Sequence, residues 1–144
     1  MTLLSRLALA LSLTLAAAPA LAQKAYVRND LLADGQRLEE RLKREVAAGN
    51  RSAVDAIRAG EIALGRGDAR SALPQANAAV VADSGNAAGW RLMARAANAI
   101  EPRDYRERWE LRERAVAAAY LAYQRSTNRN DEAASLGVLA QTFE

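Results

Sequence analysis

One spacing of small residues occurs three times in this chain and limits the folds that the chain can adopt. Each copy has an apolar residue, a second apolar residue three positions later, a Gly or Ala directly after it, and an Ala three positions further on. The copies span 56–63, 90–97 and 133–140, and the first two begin 34 residues apart. Positions three and four apart lie on one face of an α-helix, so each copy predicts a helix with one closely packing face.

A second spacing lies between these copies. Ala72, Ala76 and Ala79 fill the first gap, and the second gap holds alanines at the same intervals, at 115, 119 and 122. Small residues let neighbouring helices approach closely. The two spacings and the 34-residue period are typical of the tetratricopeptide repeat (TPR), a helix–turn–helix unit. The sequence therefore predicts an all-α fold for residues 51–144, a TPR-like array (an α-solenoid) of antiparallel helical hairpins.

The third copy departs from the period. It begins 43 residues after the second copy, and we expect the nine additional residues between Asn98 and Glu110. Within that stretch, the sequence predicts a helix start with Trp109 packed inward. Leu136, in the third copy, is expected to fill the space between helices. A repeat array normally closes with a polar cap. We therefore expect about two and a half hairpins with an incomplete C-terminal end, as in a fragment of a longer protein.

Residues 1–22 have the three parts of a secretory signal peptide. Arg6 precedes an apolar run over 7–18, and Ala20-Leu21-Ala22 gives a small-residue cleavage site. The run is shorter than the roughly 20 residues that a membrane-spanning helix needs. An N-terminal membrane anchor is the alternative. Because the chain has no cysteine, a lipid-anchored lipoprotein is excluded. We expect cleavage after Ala22, export to the periplasm, and no stable membrane insertion afterwards.

Residues 23–50 predict a charged amphipathic helix ahead of the repeats. Its apolar stripe recurs at intervals of four and seven residues and consists of Val27, Leu31, Leu38, Leu42 and Val46. Asn29 or Asp30 can cap its start, and Gly49-Asn50 can end it. Glutamates stand four residues before basic residues on its polar face, which stabilises an exposed helix.

The composition weighs against catalysis. The chain contains neither His nor Cys, so it lacks the commonest general base, the commonest metal ligand and the best nucleophile. We expect no enzyme activity, no cofactor and no metal site. A small glycan hydrolase that uses Glu39 or Glu61 is a remote alternative. The 20 basic and 17 acidic residues are interleaved, which does not indicate nucleic-acid binding.

The first helices of a TPR array line a concave groove, and the repeat frame assigns residues to it. Arg91 and Arg95 are four residues apart and could clamp a carboxylate such as a peptide C-terminus. The alternative is that both are solvated arginines on a helix surface. The polar candidates for a groove that binds a peptide or protein partner are Glu61, Arg91, Arg95, Asn98 and Gln141.

Three stretches resemble the N-terminal segment of bacterial alpha-2-macroglobulin-like proteins. They are KAYVRNDLLADGQRLEERLKREV, NAAGWRLMARA and AVAAAYLAYQRS, of which YVRNDL and YLAYQRS are the distinctive phrases. The resemblance covers essentially the whole chain after the signal peptide. It implies a charged helix and TPR-like helices ahead of β-sandwich domains, in a periplasmic protein that traps peptidases. The bait segment and the thioester cysteine of that family lie elsewhere, so no residue of the trap is carried over.

We therefore expect a non-catalytic protein–protein interaction module. The resemblance implies the exported N-terminal region of an alpha-2-macroglobulin-like peptidase inhibitor. The alternative is an independent periplasmic TPR adaptor or scaffold. The expected partner is a protein, a peptide or the remainder of a longer chain.

Overall fold

The computed structural model describes residues 29–46 and 52–144. These residues form helices and turns without a strand, which confirms the predicted all-α class for the described part of the chain. The predicted signal peptide (1–22), Val27 and the predicted helix end at Gly49-Asn50 lie outside the described residues. The helices are α1 Asn29–Glu45, α2 Ala53–Gly65, α3 Ala69–Ala82, α4 Ala87–Ala99, α5 Tyr105–Arg125 and α6 Arg129–Thr142.

Side-chain caps fix the start of each helix from α2 to α6. Asp68 caps α3, where its carboxylate accepts a hydrogen bond from the backbone N–H of Ser71 at 3.0 Å. Gly67 closes the turn before it with a φ of +76°, a conformation that favours glycine. Ser52, Asn86, Asp104 and Asn128 cap the other four helices. These residues satisfy N–H groups that have no partner within the helix.

The helices pack in two rows. Each helix from α2 to α5 contacts the next one along the chain, and α2, α4 and α6 also contact one another in that order. We call α2, α4 and α6 the first row. α1 packs against α3 and α5. It does so through Leu38 and Leu42, two residues of the predicted apolar stripe, which are buried in the same core cluster as residues of α3 and α5.

Small residues line the contacts between the helices, both within the first row and between that row and α3 or α5. The six alanines of the second spacing, at 72, 76, 79, 115, 119 and 122, are all fully buried. A Cβ placed on Gly60 of α2 would lie 2.5 Å from Cδ2 of the fully buried Leu92 on α4. Trp90 is also fully buried, and its indole N–H donates to the carbonyl of Ser84 at 2.8 Å. The core therefore consists of close alanine contacts around a few large side chains.

The additional residues between the second and third copies lie mostly in a helix. Ala72 is the fourth residue of α3, whereas the equivalent Ala115 is the eleventh residue of α5. The seven-residue difference corresponds to about two helical turns. These turns, Tyr105 to Leu111, are largely exposed, and the buried part of α5 begins at Ala115. The expected insertion between Asn98 and Glu110 thus extends α5 beyond its packed segment.

An ionic cluster holds the start of α5 against α3. The carboxylate of Glu107 accepts hydrogen bonds from Arg70 at 2.8 and 3.2 Å and from the backbone N–H of Arg103 at 2.6 Å. The bonds from Arg70 and then those from Arg103 hold the pKa of Glu107 well below its usual range. Arg70 also donates to the carbonyl of Glu101 at 2.7 Å. One carboxylate therefore joins α3, the loop before α5 and the first turn of α5.

We predict that alanine substitutions at two glycines of the repeated spacing have opposite effects on stability. Gly60→Ala should lower the free energy of unfolding by roughly 1 kcal/mol, because overpacking against Leu92 costs about 1–3 kcal/mol and the gain in helix propensity is about 1 kcal/mol. Gly137→Ala should raise it by about 0.5–1 kcal/mol, because no atom lies within 4 Å of its added Cβ. Urea unfolding followed by circular dichroism measures both. Stabilisation of similar size by both variants would contradict the close approach of α2 and α4.

Candidate functional site

All five predicted groove residues lie in the first row. Four of them contact a neighbouring helix of that row. Arg95 on α4 donates through Nη1 to both carboxylate oxygens of Glu61 on α2, at 2.7 and 2.9 Å. Both side chains are 43% exposed. An ion pair that is this open to solvent contributes about 0–1 kcal/mol to stability. This contact therefore orients two side chains more than it stabilises the fold.

Arg91 makes a second and less exposed contact, between α4 and α6. Its Nη1 donates to the carboxylate of Asp131 and to Oγ of Ser135, the latter at 3.1 Å. The fully buried Ser135 hydroxyl also donates to the carbonyl of Asp131 at 2.9 Å and lies 3.0 Å from Oγ of Ser126. The Arg91 and Asp131 side chains are 19% and 23% exposed. This is a partly desolvated polar network that joins α4, α5 and α6.

The last two predicted groove residues lie near the C-terminal ends of α4 and α6. Asn98 donates through Nδ2 to Oγ1 of Thr142 at 3.2 Å. Gln141 is exposed on α6, next to Thr142. Together with the Arg91 and Arg95 contacts, the hydrogen bond between Asn98 and Thr142 fixes the register of the three first-row helices. Both predicted clamp arginines have a carboxylate partner within the chain, so a peptide carboxylate would have to displace Glu61 or Asp131. Peptide binding at the groove stays a prediction.

The α6 copy of the repeated spacing is exposed where the other two copies are covered. In α2 and α4 the positions of the spacing are buried or half-buried, and α3 and α5 pack against these helices. In α6 all four positions are exposed, and Leu136 is 45% exposed. We call these residues the open face of α6: Ala133, Leu136, Gly137 and Ala140. The expectation that Leu136 fills the space between helices is wrong, because the described chain provides no helix on that side of α6.

A cavity between α1 and α5 was not expected from the sequence. Trp109 lies on its rim and is 56% exposed, so the prediction that Trp109 packs inward is wrong. The reason is that Trp109 belongs to the two additional turns of α5, which extend past the buried segment. The sequence contains one indication of a cationic surface at this place. Arg37, Arg41 and Arg44 stand four and three residues apart, which places them on one face of α1.

The two glutamates of the hydrolase alternative both take part in ion pairs. Glu39 accepts a hydrogen bond from Lys43 at 2.7 Å and one from Arg125 at 3.4 Å. Partial burial acts to raise the pKa of Glu39, but the bonds from Lys43 and Ser84 and the charges of Lys43 and Arg125 outweigh it and lower that pKa. A general acid at neutral pH needs a raised pKa. Glu61 lies in the ion pair with Arg95.

In residues 29–46 and 52–144, no group of three or more His, Cys, Asp or Glu side chains is placed to hold a metal ion. None of the helices in the same ranges has both the length and the hydropathy required to cross a bilayer.

Comparisons with protein-family models, with curated proteins and with solved structures found no match to this chain.

We predict that the two predicted clamp arginines differ in their effect on stability. Arg91→Ala should lower the free energy of unfolding by about 2 kcal/mol, because Asp131 and Ser135 lose their partner in a partly desolvated site. Arg95→Ala should lower it by about 0–1 kcal/mol, because its pair with Glu61 is open to solvent. Denaturant unfolding of both variants beside the wild type measures the difference. Equal effects would argue against the network between α4 and α6.

Proposed function

We propose that this chain is a non-catalytic protein-interaction module built from TPR-like hairpins. We propose further that it is the exported N-terminal region of a bacterial alpha-2-macroglobulin-like peptidase-trapping protein. The two spacings of small residues support the TPR-like arrangement, and the phrases YVRNDL and YLAYQRS support the family. The observation that carries the interaction function is the open face of α6.

The chain itself indicates what covers such a face. α2 has the same spacing as α6, and α3 packs against it with Ala72, Ala76 and Ala79 fully buried. α4 has that spacing too, and α5 packs against it with three fully buried alanines at the same intervals. The occupant of the open face is therefore a helix with small residues at intervals of four and three. In the proposed parent protein, this helix belongs to the remainder of the longer chain.

Exposed apolar side chains on α6 and directly after it give this contact a driving force. Leu136 of α6 is 45% exposed, and Phe143, the residue that follows α6, is 60% exposed. Burying a large apolar side chain fully contributes about 1.5–3 kcal/mol relative to leaving it exposed. Gly137 has no side chain, so a helix backbone can approach α6 closely at this position. The position is uncovered, because no atom lies within 4 Å of the missing Cβ. A helix in the same chain avoids most of the entropy cost of association that a separate partner incurs.

We predict that a helix of the stated spacing stabilises the module when it is attached in cis. The chain is extended after Glu144 by a flexible Gly/Ser linker and a second copy of the α5 sequence, residues 105–125. The free energy of unfolding should rise by about 1–3 kcal/mol, because the added helix buries the open face. Urea unfolding measures the change, and a Leu136→Glu substitution in the extended chain should abolish it.

Two controls make the result specific to the open face. The first is an added helix with arginine at its copies of Ala115, Ala119 and Ala122, which keeps the length but loses the small residues. The second is Ile62→Glu on α2, which changes another exposed apolar residue (49% exposed) outside the open face. Equal stabilisation by the alanine and arginine helices would contradict the proposal.

The genomic reading frame distinguishes the proposed parent protein from an independent adaptor. If the proposal is right, the frame continues past Glu144 into a helix with alanines at intervals of four and three, and then into β-rich macroglobulin sequence. A stop codon directly after Glu144 would instead favour the periplasmic TPR adaptor.

A further inference from the structure

The cavity between α1 and α5 combines an apolar floor with an excess of positive charge. Its volume is about 580 Å³, within the range of about 300–1,000 Å³ typical of small-molecule sites. Leu38 and Ala117 form part of the floor and are buried, Leu31 and Val116 are half-buried, and the Trp109 ring stands at the rim. An apolar surface of this kind accepts an aliphatic or aromatic group.

Five arginines and two acidic residues line the same cavity. The arginines are Arg37, Arg41 and Arg44 on α1 and Arg112 and Arg114 on α5, and the acids are Asp34 and Glu113. The lining thus carries three more positive than negative charges. A cationic site of this kind attracts anions and repels cations.

Three of these arginines have partners on α1. Arg37 pairs with Asp34 at 3.2 Å, Arg41 lies 3.9 Å from Glu45, and Arg44 donates to the carbonyl of Glu40 at 3.3 Å. All three contacts lie between neighbouring turns of one exposed helix. They therefore compete only weakly with a bound anion.

The two arginines on α5 have neither a hydrogen bond nor an ion pair among the side chains that the structure describes. Arg114 is half-buried, and its burial and the charge of Arg41 lower its pKa, although Glu45 and Glu110 act in the opposite direction. Arg112 is exposed at the mouth of the cavity. A guanidinium that has lost part of its hydration without gaining a direct ion pair favours the binding of an anion.

The segments outside the described side chains do not offer a complementary charge. Outside the described side chains, the sequence contains one acidic residue, Asp30, and four basic ones, Arg6, Lys24, Arg28 and Arg51. These segments carry net positive charge and do not complement an arginine-rich cavity.

We propose that the α1–α5 cavity binds a small amphiphilic anion, with one carboxylate or related head group and an aliphatic or aromatic body. Arg112 and Arg114, which both line the cavity, supply the positive charge that attracts the head group. Leu31, Leu38 and Val116 contact the body, and the Trp109 ring covers it. Arginine lining without an apolar floor would bind inorganic anions, and a floor without arginines would bind neutral lipids, so the combination selects the amphiphile.

Three probes separate the contributions of head group and body. Octanoate has both, octanol has only the body, and acetate has only the head group. Trp109 reports binding by fluorescence, because the second tryptophan of the chain, Trp90, is fully buried. Octanoate should bind at least about tenfold more tightly than octanol, since a charge-assisted hydrogen bond contributes a factor of this size. It should also bind at least about tenfold more tightly than acetate, because acetate lacks the alkyl chain that the apolar floor buries.

Substitutions on α5 test the two arginines directly. The double variant Arg112→Gln/Arg114→Gln should weaken octanoate binding at least about tenfold and leave octanol binding unchanged. Arg108→Gln is the matched control, because Arg108 is an exposed arginine of the same helix that does not line the cavity. It should bind octanoate like the wild type. If the double variant fails to fold, Arg112→Gln alone should weaken octanoate binding by a factor of about three.

Any of four results would overturn the proposal. Three of them are equal affinities for octanoate and octanol, equal affinities for octanoate and acetate, and unchanged octanoate binding by the folded α5 variants. A failure of wild-type protein to bind octanoate at any concentration below micelle formation would also overturn it. None of these results bears on the open face of α6, which is tested separately.

Discussion

The close approach of the helices at small residues is the constraint on which the rest of this structure depends. A Cβ on Gly60 would stand 2.5 Å from Leu92, and six alanines of α3 and α5 are fully buried between the rows. At such separations the side chains of the first row reach across to the next helix. Arg95 contacts Glu61, and Arg91 contacts Asp131 and Ser135. Larger residues at the crossing points would move the helices apart and break these polar contacts together.

The same packing rule explains both surfaces proposed to bind partners. A helix with the repeated spacing needs a second helix over it, and α6 presents the spacing without one among the described helices. The two additional turns of α5 extend past the alanine contacts, so Trp109 and Arg112 remain exposed beside α1. Each surface therefore arises where the repeat pattern is interrupted. Neither needs a nucleophile, a general base or a metal ligand, which agrees with a composition lacking His and Cys.

The features that depend on local spacing could be predicted from the sequence, and those that depend on distant neighbours could not. Helical periodicity is a property of adjacent residues, and the structure confirms the helices that it predicts. The exposure of Trp109 depends on where the extra residues between the second and third copies are placed, and a nine-residue insertion fits a loop or a helix equally well. The partners of Arg91 are 40 and 44 residues away. The cavity joins arginines of α1 and α5, which only the packing of α1 brings together.

One repeated spacing is covered in α4 and open in α6. Met93 and Leu136 occupy the same position of that spacing, and they are 0% and 45% exposed. Methyl NMR in the presence of a soluble paramagnetic agent measures both on one sample. The signals of Leu136 should broaden strongly while the Met93 methyl remains nearly unaffected. Equal broadening of the two residues would contradict this account.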